Sequence, residues 1–305
     1  MLATLRGVNR DVAGFVALSA VWGTAFVATK AALDGFPPVF LAALRFSLAA
    51  ALLFLVTAAA GRSVVPRTRG DVAPILTGGA FSIGAHHAFL FTGQDYVSSA
   101  VAATLLGLIP VLTPMATRLV MPSERIDATG AVGLAVGFAG LAVIARPDPS
   151  NLAVNTGALY VFGSAIAWVV GAVTTREDDA TLGPLALQSW MALTGAVMLH
   201  VTAAALGQGM ADVTAGPAGY GWLVYLAVVP GAGGFLLYFR LLDRLGPIQT
   251  GLLEYAVPPF AALFGFLVLE ETLAPTTVGG FALIFVAFVL VKRDAVRAAL
   301  RRRLD

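Results

Sequence analysis

The chain has 305 residues, 58% of them hydrophobic and 12% charged, with no cysteine and a net charge of +2. Soluble domains carry roughly 25% charged residues, so this composition argues against a water-soluble chain, and the missing cysteine excludes disulfides. The mean hydropathy is +0.87, and the apolar residues gather into stretches of about 20, the length that spans a bilayer core.

Ten such stretches follow in chain order, at roughly 12–30, 38–60, 72–92, 98–119, 127–145, 155–175, 184–206, 219–241, 247–269 and 274–292. They are apolar all round and do not alternate, which selects helices over membrane strands. The first could be mistaken for a signal peptide, but it has no convincing cleavage site and ends in Lys30, so it reads as an uncleaved helix. Its Trp22 and Phe26 share a helix face that Thr29 continues. Arg45 falls near the outer end of the second span, and His86 and His87 lie deep in the third. Pro110 and Pro114 interrupt the fourth span, and Pro258 and Pro259 the ninth. Gly130, Gly133, Gly137 and Gly140 line one face of the fifth, as close helix packing requires.

Positive charge sets the orientation. With the N-terminus in the cytoplasm, sixteen Lys and Arg residues lie inside, from Arg6 and Arg10 to Arg301, Arg302 and Arg303. Only Arg146 lies in an outside loop, while Lys30 and Arg45 sit in outer helix ends. The expectation is a multi-pass plasma-membrane protein with both termini cytoplasmic. The basic tail reads as an anchor near anionic lipid rather than a nucleic-acid site.

The second half repeats the first. Glu124 and Glu271, Gly133 and Gly280, and Arg146 and Arg293 are each 147 residues apart. Pro110 and Pro258 are 148 apart; Trp22 and Trp168, and Lys30 and Arg176, are 146 apart. Five helices is an odd number, so the second copy enters the membrane from the opposite side. The fold expected is therefore an all-α integral membrane protein of ten transmembrane helices, arranged as two inverted five-helix repeats. Residues 1–147 form the first repeat, 148–293 the second and 294–305 a basic cytoplasmic tail. Many secondary transporters follow this plan, with a site near the midplane between the halves.

Particular residues carry a family resemblance. Trp22-Gly23 with Lys30, Pro37-Pro38 and Leu44-Arg45-Phe46 resemble the opening of an EamA-type member of the drug/metabolite transporter superfamily. Ser98 through Ala103, Pro110, Glu124 and Gly133 are similar to that family's later helices, and Gly246-Pro247, Pro258, Glu271 and Gly280 repeat the pattern. The resemblance implies ten helices, cytoplasmic termini, a central cavity between the repeats, and transport of small organic molecules, often outward. The chain departs from the pattern at Trp168-Val169, at Met191 in the place matching Arg45, and at His86, His87 and Glu254.

Ionisable groups in the bilayer cost at least about 2.5–3.5 kcal/mol each and so need partners or water. Glu254 is a candidate proton or ammonium site, or a structural partner for a donor. His86 and His87 are candidates for a proton relay or substrate donor, or for a bond between helices. Arg45 reads either as a pocket cation facing an acidic group or as a structural pair; Lys30 either reaches the site or snorkels to the interface. Trp22 and Trp168 are candidate cavity walls or packing, with Gln188 and Tyr255 as further cavity candidates. Pro110 and Pro258 mark the helices expected to gate the cavity. Trp222 fits the aromatic belt at a membrane end, while Trp190 has no such account.

The chain carries no phosphate-binding loop, so ATP-driven transport is not expected. No cofactor and no metal site are expected: there are three His, none paired at i,i+4. The favoured function is a secondary, alternating-access transporter of an amino acid or related metabolite, an exporter in direction, coupled to protons. A facilitated exchanger and an exporter of lipophilic cations are the alternatives; a channel, or a serine hydrolase built on Ser164 and His86, is the remote one. The partners expected are a small-molecule substrate, membrane lipid and a coupling proton, with a homodimer left open and no nucleic acid.

Overall fold

The computed structural model describes residues 2–120, 128–145, 152–175, 180–246, 250–291 and 293. Glu124, Arg125, Arg146, Arg176, Pro247 and the tail arginines lie outside the described residues. Every regular element among those described is helical. The first half runs α1 (Leu2–Leu33), α2 (Pro38–Ala59), α3 (Arg69–Thr77), a π-helical stretch (Gly78–Ala85), α4 (His86–Tyr96), α5 (Ser99–Leu106), α6 (Ile109–Val120) and α7 (Ala128–Ala145). The second runs α8 (Leu152–Thr174), α9 (Pro184–Ala205), a 3-10 turn (Met210–Asp212), α10 (Pro217–Leu226), a second π-helical stretch (Ala227–Gly233), α11 (Gly234–Leu245), α12 (Leu253–Leu269) and α13 (Pro275–Val291).

Six helical stretches are long and apolar enough to cross a membrane, among them Pro38–Ala59, Ser99–Arg118 and Pro217–Leu245. Ala128–Ile144, Leu253–Leu269 and Pro275–Val291 are shorter apolar helices. The chain is a multi-pass, all-helical integral membrane protein. Its helix starts use local chemistry. Pro38, Pro184 and Pro217 open α2, α9 and α10, where the missing N–H costs nothing and the fixed φ suits the helix. Ser98 caps α5 by accepting from the Val101 N–H at 3.3 Å.

Two predicted spans are not single helices. The third is broken by the first π stretch and the eighth by the second, which begins 149 residues later and ends 148 later. Sequence periodicity does not separate a π turn from an α turn, so the expectation of plain helices is corrected there. The fourth span is also divided, at Gly107 and Leu108, between α5 and α6.

Helices α7 and α13 pack backbone to backbone. A Cβ added to Gly140 would lie 2.9 Å from the Gly280 carbonyl, and one on Gly133 would lie 3.1 Å from the Ala287 carbonyl. Only small residues let two backbones approach this far. The helices run antiparallel, and the 147-residue offset turns the contact of Gly133 with Ala287 into that of Gly280 with Gly140. Elsewhere α2 packs on α9, α4 on α8 and α1 on α12.

Charge separates the two ends of the helices. Exposed Arg10, Arg62, Arg67, Arg69, Arg240 and Arg244 mark a basic end; exposed Asp34, Asp95, Asp212 and Glu270 mark an acidic one. At the basic end the Asp71 carboxylate is enclosed by two segments, accepting from the N–H groups of Arg67 and Thr68 before α3, from those of Thr181 and Leu182 before α9, and from the Thr181 hydroxyl. Burial alone would raise its pKa; these donors outweigh that and hold it well below the usual carboxylate range. Asp71 thereby ties the start of α3 to the start of α9, while Arg244 pairs with Asp11 at 2.7 Å.

A central cavity

A cavity of about 1270 Å³ lies between the helices. Its wall includes Pro74, Thr175, Pro184, Leu242 and Thr250, all near the basic ends of their helices, and stops at Thr29 and Gln94 toward the acidic end. There polar contacts bridge the helix ends. The Gln94 side chain donates to the Phe26 carbonyl at 2.9 Å. Lys30 donates to the carbonyls of Gln94 and Asp95 at 2.8 and 2.9 Å. Glu271 accepts from the Ser99 N–H at 3.0 Å and from its hydroxyl at 3.2 Å. The cavity is thus bridged at one end and reaches the other.

Most of the residues singled out in the sequence meet here. Trp22, Arg45, His86, His87, Trp168, Gln188, Glu254 and Pro110 all line the cavity. Lys30, Tyr255 and Pro258 are not among its lining residues. Lys30 caps the last carbonyls of α4 instead, where a cation is favoured, and so belongs to these bridges. Tyr255 is buried, and its hydroxyl donates to the Gly107 carbonyl at 3.0 Å. Those two residues stand 148 apart, the offset of the repeat. Pro258 is buried within α12, away from the wall.

The wall pairs repeat positions. Trp168 matches Trp22, Met191 matches Arg45, Phe235 matches His87 and Leu106 matches Glu254, and all eight face the same space. The chemistry is nonetheless lopsided, since three of these pairs set a polar residue against an apolar one.

The cationic wall is built by α2, α4, α8 and α9. Arg45 is 8% exposed, with its guanidinium carbon 5.0 Å from the Phe46 ring centre and 5.6 Å from that of Phe91. The first π stretch ends where His86 and His87 begin, and its glycines let it press on α9: a Cβ on Gly79 would meet the Thr194 side chain at 2.6 Å. His87 Nδ1 donates to the Ile83 carbonyl at 2.9 Å and its ring packs on Phe46 at 4.2 Å. His86 Nδ1 lies 3.0 Å from the Ser164 carbonyl and 2.7 Å from the Ser164 hydroxyl, with Trp168 edge-on at 5.0 Å. The serine–histidine contact weighed in the sequence therefore exists. Ser164 is wholly buried, however, and the same nitrogen is shared with its carbonyl, so the pair cross-links α4 to α8 rather than presenting a nucleophile.

The acidic wall is aromatic. Trp22 packs against Tyr238 at 5.5 Å and Phe235 at 6.4 Å, and Glu254 shares this side of the cavity with them. The Glu254 carboxylate makes no hydrogen bond or ion pair with a described residue. His86 and His87 likewise leave Nε2 without such a bond. Among the described residues no cluster of three His, Asp or Glu could hold a metal ion. Trp190 finds its account at the basic end, donating to the Val64 carbonyl at 2.6 Å with its ring edge-on to Phe54. The sequence reading missed Gln94, Phe91 and Tyr238 as wall residues. It also missed the two π stretches; the run Gly78-Gly79 with Gly84 was the available signal for the first.

Comparison with known proteins accounts for this architecture. A family model described as the EamA-like transporter family matches twice, over residues 12–146 and 155–293. An uncharacterized transporter of Archaeoglobus fulgidus is 26% identical over 276 residues, covering 89% of this chain and 95% of its own. A protein of Streptantibioticus cattleyicolor named as a probable terminal-alkyne amino-acid exporter is 29% identical over 287 residues, with 94% of each chain covered. An uncharacterized inner membrane transporter of Escherichia coli is 26% identical over 279 residues, covering 90% of this chain and 88% of its own. A solved crystal structure shares the fold, with a TM-score of 0.64 at 22% identity over 93% of this chain and 97% of the other. With both halves matched by the same family model, the chain belongs to the EamA-like transporter family of the drug/metabolite transporters and is a transporter, not an enzyme.

Proposed function

We propose that this chain is a secondary active transporter that carries a small organic metabolite, an amino acid or a related compound, out of the cell by alternating access. The observation that carries the reading is the large central cavity, lined by repeat-related residues from both halves and bridged by polar contacts at its acidic end. Ten membrane-crossing segments in two inverted repeats, 1–147 and 148–293, would let the two halves exchange conformations and open the other end. The antiparallel contact of α7 with α13, and of Gly107 with Tyr255, supports an axis relating the repeats. The charge asymmetry fits a cytoplasmic basic end with both termini inside. The cavity is then inward-facing, as an exporter's loading state should be.

Amino-acid cargo is suggested by the relative from Streptantibioticus and fits a wall with one cation, one carboxylate and aromatic faces. Glu254 is assigned the coupling proton because its carboxylate faces the cavity with no described partner. The same carboxylate beside Trp22 and Tyr238 favours a second reading, in which lipophilic cations are carried. Purified protein in liposomes loaded with amino acid should catalyse counterflow of labelled amino acid that saturates. Flux that rises linearly with concentration, without counterflow, would show a channel. Accumulation that ignores an imposed pH gradient would remove the proton from the scheme and leave facilitated exchange.

A further inference from the structure

The bridges at the acidic end are not equivalent. Lys30 and Gln94 join α1 to α4, both in the first half of the chain. Glu271 joins the two halves. Its carboxylate, just past the end of α12, accepts from the Ser99 N–H at 3.0 and 3.1 Å and from the Ser99 hydroxyl at 3.2 Å. Ser99 is wholly buried and opens α5, where the free N–H groups of a helix start favour an anion. The chain is shaped for this contact. Glu270 has φ of 56°, a left-handed conformation that L side chains rarely adopt, and it is the one non-glycine residue so placed among those described. That turn reverses the chain, and the Glu271 N–H donates back to the Gly265 carbonyl at 3.1 Å. Gly265 leaves the room: a Cβ there would lie 2.5 Å from Glu271 Oε2, and its three nearest neighbours would all be atoms of that side chain.

The helices so joined belong to the repeat-related fourth and ninth spans. Both line the cavity, through Ala103 and Leu106 on α5 and through Glu254 and Val257 on α12. α12 packs on α5, whereas α6, which continues the fourth span toward the basic end, packs on α8 and α13. A deeper bond, from Tyr255 to Gly107, joins the same two spans at the break between α5 and α6. The repeat-related pair α2 and α9 is held differently, near both of its ends. Gln208, just past α9, accepts from the Val39 N–H at 2.9 Å, and Thr57 lies 3.4 Å from Ser189 toward the basic end. A pair held at both ends moves as one body; a pair held at one end can pivot. We propose that Glu271 on the start of α5 is the latch of the acidic end. It holds the fourth and ninth spans together in this state, and its release lets them pivot about Gly107 and open the cavity there. A contact made in one state alone biases the balance of states by its own strength. The latch presupposes the alternating-access reading of the cavity. It adds which contact must break, at a residue that is not part of the cavity wall.

Thiol accessibility in intact cells tests the latch, since the chain has no native cysteine. Thr29→Cys places a thiol at the acidic limit of the cavity, and Asp34→Cys an exposed one at the acidic end. A membrane-impermeant maleimide should label Asp34→Cys in every background. It should label Thr29→Cys slowly in the parent and roughly tenfold faster with Glu271→Ala, the shift that loss of a charge-assisted hydrogen bond gives a two-state balance. Gly265→Ala separates a latch from a structural tie. It keeps Glu271, displaces its carboxylate, and replaces a helical glycine by a better helix former, so the unfolding temperature should not fall. Labelling of Thr29→Cys should nevertheless rise in Gly265→Ala as it does in Glu271→Ala. Glu271→Gln, which keeps an acceptor oxygen, should fall between. Unchanged labelling in both Glu271→Ala and Gly265→Ala would overturn the latch, and a lower unfolding temperature beside it would mark Glu271 as a structural tie. Rapid labelling of Thr29→Cys in the parent would show the acidic end open with the contact in place, and would overturn the latch too. No labelling of Asp34→Cys would overturn the orientation instead, and the same comparison is then made on inside-out vesicles.

Discussion

The seam between α7 and α13 and the cavity wall obey opposite rules. In the seam the repeat is kept: Gly133, Gly140 and Gly280 are small on both sides, and each contact has its mate under the 147-residue offset. In the cavity the repeat is kept in position and broken in chemistry: Arg45 faces the same space as Met191, and Glu254 the same space as Leu106. A frame that changes shape by exchanging its halves needs equal packing in both. A site that binds one cargo and one proton needs unequal groups. The difference separates residues whose loss breaks the protein from those whose loss breaks only its function.

The largest effect should come from the seam. Gly280→Leu puts side-chain carbon against Ile144 and within 2.8 Å of the Gly140 carbonyl, and backbone cannot step aside. A loss of about 3 kcal/mol, the upper part of the usual overpacking range, is expected, seen as a fall in folded yield from detergent. A stable, transporting Gly280→Leu protein would break the comparison. Arg45→Met should do the reverse: the ring contacts with Phe46 and Phe91 that it gives up are weaker than that loss, so folding should largely persist. Hydrogen bonds to charged groups contribute about 1.5–3 kcal/mol, so cargo affinity should fall roughly tenfold to a hundredfold in a binding titration. Glu254→Gln should abolish proton-driven accumulation in liposomes while counterflow persists.

Much of this contrast was legible in the sequence, because spacing and side-chain type record helices, repeats and rare intramembrane charges directly. Eight of the residues proposed for the site meet in one cavity for that reason. What the sequence hid was register. The sequence leaves Lys30 between the site and the interface because its position near the end of the first span does not reveal which carbonyls it caps. The π stretches were hidden because one extra residue per turn leaves an all-apolar pattern unchanged. Tyr255 looked like a wall residue, but the neighbouring Glu254 takes that direction, since adjacent side chains on a helix point about 100° apart.

Two smaller effects sharpen the account of the frame. Asp71 is a carboxylate whose folded pKa is depressed by its donors. Its stabilisation should therefore be fully present above the unfolded value of about 3.9 and be lost as pH falls toward the folded value. The difference in unfolding temperature between the parent and Asp71→Asn should be constant near neutral pH and narrow below pH 4 or so. Tyr255→Phe removes one neutral bond, to Gly107, and should cost about 1 kcal/mol in unfolding experiments.

The central claim is that the two ends open in alternation. The absence of native cysteine allows pairs of spin labels to be placed cleanly. One pair at Asp95 and Leu273 reports on the acidic end, and another at Arg67 and Arg240 on the basic end; all four positions are exposed. Distances measured by pulsed electron resonance in liposomes should shift in opposite directions when cargo or pH is changed, one pair lengthening as the other shortens. Both pairs moving together, or neither moving while transport proceeds, would contradict the account.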